Sequence, residues 1–235
     1  MRKFKDRSNK LVEIAKILSK ERPNPQSELN YKNDYELTVA VILSAQCTDA
    51  RVNNITPVFF AHFPSFDTLA KASFDEVYQL IKSCSYPNNK TKHLIALAQE
   101  VVNKYSGKLP RNELELLNLP GIGRKTANVL LSILERKNVL AVDTHVFRVA
   151  HRLGLVEKAK TPLAVEKQLS NLAGDIPLYN LHHWLVLHGR YVCKARNPLC
   201  KQCSLTHLCN YYLKLSSSKH FQTKSSSYPL RRANK

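Results

Sequence analysis

The chain has 235 residues, with 36 Lys or Arg against 18 Asp or Glu, a formal net charge of +18. That length builds one large or two small domains around a real core, and that charge points to a polyanionic partner, nucleic acid before an acidic membrane surface. No apolar run approaches the ~20 residues of a membrane span, and the charged start MRKFKDRSNK lacks the apolar stretch of a signal peptide, so a soluble intracellular protein is expected.

The charge is not confined to the ends. Residues 1–10 carry five basic and one acidic side chain and residues 214–235 six basic and none acidic, which leaves +8 on residues 11–213. Along the chain the apolar spacing is helical almost throughout. Leu11, Ile14, Ala15 and Leu18 fall on one face before Pro23. Residues 36–46, ELTVAVILSAQ, are apolar on most sides and predict a buried central helix. Thr56-Pro57 and Thr161-Pro162 each read as an N-cap followed by Pro at the first helical position. Ser73 and Glu76 form a capping box that opens FDEVYQLIKS. Further helices are predicted over 89–105, closed by Gly107, and over 112–117, 124–135, 144–153, 162–173 and 178–192. Only NVLAV at 138–142 has strand composition, and it is too isolated to build a sheet. The fold class is therefore all-α. The Ser-rich, basic end of the chain, residues 213–235, is expected to be a disordered tail.

The segment LPGIGRKTANVLL places Leu119-Pro120-Gly121-Ile122-Gly123 between two predicted helices. Glycines let a backbone take positive φ and approach a ligand with no Cβ in the way. The amides opening the next helix, at the positive end of its dipole, then suit a phosphate. Ile122 is the apolar plug of such a hairpin. An ordinary helix–helix connection is the plainer alternative. Lys125 sits at the mouth of that helix beside Arg124. Most lysines there are merely solvated, but a primary amine is also a nucleophile in covalent catalysis. Asp143, in AVDTHVFRVAHRLGL, is a good N-cap for the helix from Thr144 and ends an apolar stretch.

Four of the six cysteines, Cys193, Cys200, Cys203 and Cys209, give C-x6-C-x2-C-x5-C. Four thiolates hold either a tetrahedral zinc or a [4Fe–4S] cluster. Zinc modules usually show two close pairs, whereas only Cys200 and Cys203 are closely paired here. Cys47 and Cys84 read as packing thiols, and His182, His183 and His188 as structural histidines.

From about residue 9 to 212 these motifs together resemble the endonuclease III family of the helix-hairpin-helix DNA glycosylase superfamily. The resemblance implies a two-lobed all-α fold with a DNA cleft between the lobes. A helical barrel would span 27–137, and an iron–sulfur domain 1–26 with 138–212. It implies a bifunctional DNA glycosylase and abasic-site lyase that removes oxidised pyrimidines from double-stranded DNA. Lys125 would be the nucleophile at the sugar C1′, with Asp143 giving electrostatic and proton assistance. Leu119, Gly121, Ile122, Gly123 and Arg124 would grip a phosphate. The four cysteines would ligate a [4Fe–4S] cluster, with Lys194 and Arg196 in the loop that meets DNA. Gln46, in LSAQCTDARVN, would fill the space left by an extruded base, unless it is only a helix-end amide. The family commonly reads Gly-Leu-Tyr-Asn where this chain has Ser85-Tyr86-Pro87-Asn88. Tyr86 therefore stands where a leucine wedges into the stack, and an aromatic ring can stack on bases too. A single chain acting on damaged or abasic DNA is the expected assembly.

Two rivals remain at the level of sequence. An adenine-mismatch glycosylase would carry a catalytic Glu near the start of the Gln46 helix and no lysine at the hairpin, whereas here that stretch, TVAVILSAQ, has no carboxylate and the hairpin has Lys125. A non-catalytic DNA clamp would use hairpin and cluster alone.

Overall fold

The computed structural model describes residues 2–217, whose only regular elements are helices, with no strand among them. The helices are α1 (Arg2–Glu21), α2 (Asp34–Ser44), α3 (Asp49–His62), α4 (Phe66–Ala70), α5 (Phe74–Ile81), α6 (Pro87–Tyr105), α7 (Glu113–Asn118), α8 (Arg124–Leu134), α9 (Thr144–Leu153), α10 (Pro162–Ala173), α11 (Leu178–Tyr191) and α12 (Asn210–Ser217). No described helix is long and apolar enough to cross a membrane.

The chain divides into two compact units. One comprises Pro25–Ala141 and Pro177–His183. Its centre is α2, where Leu37, Val39, Ala40 and Leu43 are fully buried, as the all-round apolar composition requires. Asn33 caps α2 by accepting from Glu36 N, and the Glu36 carboxylate accepts in return from Lys32 N. Around α2 pack α3, α6 and α8, while α4 and α5 lie on α6. The predicted box at Ser73 and Glu76 is formed, Ser73 Oγ accepting from Glu76 N and Glu76 Oε2 from Ser73 N.

The Thr56-Pro57 start is not found. α3 begins at Asp49, capped by Thr48 Oγ1, and Pro57 lies inside it. A proline there deletes its own bond to the Asn53 carbonyl and crowds that carbonyl, while buried Val52, Thr56 and Phe59 keep the helix seated.

The other unit comprises the described parts of Met1–Asn24, Val142–Ile176 and Trp184–Lys235. Leu11, Ile14, Ala15 and Leu18 of α1 are buried as predicted, and α1 packs on α10. Lys10 Nζ donates to Leu153 O and Asn210 Oδ1, both at 2.8 Å, and Trp184 Nε1 donates to Arg22 O. Thr161 caps α10 and Pro162 takes its first position, again as predicted.

Residues 138–141 and 177–183 group with the first unit, although the sequence reading placed them in the 138–212 segment. Asn128 Nδ2 donates to Leu140 O, Leu178 N donates to Asn138 Oδ1, and His182 Nδ1 donates to Ala141 O at 2.8 Å. Those bonds hold the 138–141 stretch as a coil threaded between α8 and the start of α11. The reading of residues 213–235 as a disordered tail is overturned for Leu213–Ser217, which are helical within α12. The remainder of that segment lies outside the described residues.

Candidate functional site

The hairpin forms from local rules. α7 is capped by Asn112 and ends at Asn118, Ile122 N donates to Leu119 O at 3.1 Å, and α8 starts at Arg124. Leu119 and Ile122 are only 4% and 5% exposed and belong to the core, which anchors the turn from beneath. Gly121 has φ +79°, and a Cβ there would lie 2.8 Å from His93 Cβ, so glycine is required on both counts. Gly123 is different. Its φ is −92° and a Cβ would meet nothing within 4 Å, so neither backbone nor packing demands glycine. It is the N-cap of α8, and no side chain caps that helix end. Arg124 donates to Glu113 Oε1 of α7 at 3.0 Å, which ties the two arms together. Lys125 is exposed. The arrangement offers an anion an uncapped helix start with a primary amine beside it.

Asp143 lies in the other unit, where it caps α9. Its Oδ1 accepts from His145 N at 2.9 Å and Val146 N at 2.8 Å, and His145 Nδ1 lies 2.9 Å from Oδ2. Three contacts hold the carboxylate in one orientation, with the side chain 14% exposed. The capping prediction is met. His145, which fixes the second oxygen, escaped the sequence reading because histidine after an Asx cap has no distinctive spacing.

Gln46 and Tyr86 come together from loops 40 residues apart in sequence. Both are exposed, and both take the left-handed conformation, with φ 54° and 55°. Ser85 Oγ donates to Gln46 O at 2.6 Å. Below them Cys84 is buried against Cys47, and burial first, then the neighbouring thiol, pushes the Cys84 thiol up to about 11.

Cys193, Cys200, Cys203 and Cys209 line one cavity with His188, Val192 and Tyr211. Burial pushes the Cys203 thiol up to about 11. His188 Nε2 lies 3.7 Å from Cys203 Sγ, consistent with its structural assignment. Among the described residues, no three His, Cys, Asp or Glu side chains converge as one metal ion would require. The loop from Cys193 is braced by two arginines one turn apart on α9. Arg148 donates to Cys193 O and Gly189 O, and Arg152 donates to Lys194 O, Ala195 O and Cys193 Sγ. Arg152 also lies 4.6 Å over the Tyr211 ring. The sequence reading missed both, and their i, i+4 spacing in HVFRVAHRL was the available signal. Lys194 and Arg196 are exposed on this loop.

Comparison with known proteins places these features among relatives. A model described as the HhH-GPD superfamily of base excision DNA repair proteins matches residues 39–174. Endonuclease III of Rickettsia conorii is 46% identical over 202 residues, spanning 86% of this chain and 96% of that protein. Endonuclease III of Bacillus subtilis is 42% identical over 187 residues, 80% and 85% of the two chains. Among solved structures, a trapped endonuclease III–DNA covalent intermediate aligns with a TM-score of 0.83 at 38% identity, covering 89% of this chain and 98% of that one. A non-covalent endonuclease III–DNA complex aligns at 0.85 and 37% identity, covering 90% and 99%.

Proposed function

The chain belongs to the HhH-GPD superfamily of base excision DNA repair proteins, and from that premise we propose that Lys125 is the nucleophile of its DNA glycosylase and abasic-site lyase activity. The observation that carries this reading is an exposed primary amine at the second residue of α8, directly after a hairpin whose second glycine serves neither backbone nor packing. A close structural relative was itself trapped as a covalent intermediate with DNA.

The substrate class is double-stranded DNA carrying oxidised pyrimidines or abasic sites, and a single chain acts on it. The amides opening α8 seat a backbone phosphate. Exposed Lys194 and Arg196 add sequence-independent attraction. The damaged nucleotide leaves the stack, which costs a few kcal/mol, and Gln46 and Tyr86 fill the space it leaves. Lys125 Nζ bonds to C1′ as the glycosidic bond breaks and the departing base takes up a proton. The sugar ring opens to an imine, loss of a C2′ proton breaks the C3′–O bond, and the strand is cut 3′ to the lesion. Water then releases the amine. The Asp143 carboxylate stabilises the positive charge that develops on the sugar. Borohydride reduction during turnover on an abasic duplex tests this: a stable protein–DNA adduct is expected, and its absence with DNA still bound would leave a clamp rather than a lyase.

The four cysteines fit a [4Fe–4S] cluster. In a cubane each thiolate binds a different iron, so the sulfurs stand further apart than the four ligands of one zinc. Four thiols lining one cavity supply the four ligands that such a cluster takes. Arg152 donates to Cys193 Sγ, which favours that thiolate. When bound, the cluster would cross-link residues 193–209 and hold the Lys194–Arg196 loop outward. Purified protein is expected to hold about four iron atoms per chain, and stoichiometric zinc without iron after anaerobic preparation would overturn the assignment.

The two hairpin glycines separate structure from binding. Gly121→Ala should lower stability by about 1–3 kcal/mol, since it adds strain at positive φ and a clash with His93. Gly123→Ala should stay within about 1 kcal/mol of the parent in denaturant titration. Its affinity for abasic duplex should nonetheless fall, because the methyl group lies where the phosphate would approach. Unchanged affinity in Gly123→Ala would remove the hairpin from the binding reading.

A further inference from the structure

Lys90 is a buried cation that neither base removal nor phosphate binding uses. It lies on α6 and is 5% exposed. Its Nζ donates to Leu43 O and to Ala45 O, both at 2.7 Å. Those carbonyls close α2, at the negative end of its dipole and without an intrahelical partner. Burial holds the amine below its ordinary value, and the facing Cys84 and Cys47 thiols oppose that shift. A buried ammonium is costly unless it is hydrogen-bonded, and this one gives two of its three donors to the turn that leads into Gln46.

The same lysine reaches the second loop through its backbone. Lys90 N donates to Tyr86 O at 3.2 Å in the first turn of α6. Ser85 Oγ, one residue before Tyr86, donates to Gln46 O. Gln46 and Tyr86 each hold a left-handed backbone that costs a non-glycine residue of order 1–3 kcal/mol. Such a conformation persists only where its surroundings over-determine it. Here the surroundings are Lys90 beneath and Ser85 between.

We propose that Lys90 and Ser85 are positioning residues that lock Gln46 and Tyr86 together as one preformed wedge, which enters the duplex when the damaged nucleotide leaves it. The proposal rests on the reading of Gln46 and Tyr86 as the residues that fill the vacated space. Neither Lys90 nor Ser85 touches the substrate. Their contribution is made before DNA arrives, by holding the two loops together with both side chains already exposed. Strand separation is the step they serve, so a substrate that needs none should not depend on them.

The test compares two substrates. One is a duplex with a single oxidised pyrimidine, read by base excision and by the fluorescence of 2-aminopurine beside the lesion. The other is a single-stranded oligonucleotide with a preformed abasic site, read by borohydride trapping. Lys90→Met keeps the length and apolar stem of lysine. It should slow duplex excision and the fluorescence rise by about tenfold or more, the scale of a misplaced positioning group, while single-strand trapping stays within about threefold. Ser85→Ala, in a partly exposed loop, should show the same split more weakly and guards against a Lys90 variant that fails to fold. In a Gln46→Ala, Tyr86→Ala background, Lys90→Met should add no further loss on duplex, since there is nothing left for it to position. An equal loss on both substrates for Ser85→Ala, or none, would overturn the proposal, as would additivity of Lys90→Met with the wedge substitutions. If Gln46→Ala and Tyr86→Ala themselves excise normally from duplex, the wedge reading is what fails. If those two are impaired and the Lys90 and Ser85 variants are not, the wedge stands and the positioning role falls.

Discussion

Lys125→Gln is expected to bind abasic duplex DNA and to form no covalent adduct with it on borohydride reduction. Glutamine is about as good a helix former as lysine, and removing a cation near the positive end of a helix dipole slightly favours the helix. Lys125 is exposed, so no packing is lost. The hairpin, Gly121, Gly123 and the Arg124–Glu113 pair are unchanged. Loss of one cation weakens the electrostatic part of binding modestly, since each phosphate contact contributes only one part of a shared salt dependence. The chemical loss is of another order. An amide cannot form an imine, so both the trapped adduct and β-elimination should disappear together, while gel-shift affinity stays within about tenfold. Trapping at the parental level in Lys125→Gln would mean that another amine is the nucleophile.

What the sequence revealed and what it hid divide along one physical line. Interactions between near neighbours were legible. The Asp143, Ser73 and Thr161 caps each bond an amide two or three residues on, so residue type and spacing suffice. The buried stripe of α1 follows from periodicity, and the all-round burial of α2 from its apolar composition. The hairpin was legible because its glycines sit beside the helix start they serve. Interactions in which a long cation reaches a distant backbone carbonyl were not. Lys90 meets Leu43 O and Ala45 O across 47 and 45 residues, and Arg148 and Arg152 meet the Cys193 loop across more than 40. A carbonyl has no residue type, so nothing in the chain marks it as a partner; Lys90 reads as solvated surface, and the i, i+4 spacing of Arg148 and Arg152 marks a shared face without naming what it meets. The same holds for the left-handed backbone of Gln46 and Tyr86, which the surroundings impose against local preference. Helix ends failed where composition misled. Proline at 57 signalled a start that Thr48 had already made, and serines near 216 signalled disorder where α12 still runs.

Asp143 is where a legible local role and a proposed chemical one share a single carboxylate, and two substitutions separate them. Asp143→Asn keeps an oxygen able to accept from His145 N and Val146 N, the contacts now made by Oδ1 at 2.9 and 2.8 Å. Its amide nitrogen would then face His145 Nδ1, which now lies 2.9 Å from Oδ2, and the imidazole can answer by changing tautomer. Stability should therefore fall by no more than about 1 kcal/mol in denaturant titration. Asp143→Ala loses the cap outright and should cost about 1–2 kcal/mol. Capping alone would thus leave the asparagine variant close to the parent in rate and only the alanine variant impaired. A carboxylate that stabilises positive charge on the sugar makes a different pattern. Both variants lose that charge, so both should excise an oxidised pyrimidine roughly a hundredfold or more slowly, the scale of lost acid–base and electrostatic assistance. Cleavage of a preformed abasic site should fall less in both, because no base remains to be expelled. Single-turnover rates on the two substrates, measured beside the melting curves, decide it: a well-folded Asp143→Asn protein that excises at a near-normal rate would reduce Asp143 to a helix cap.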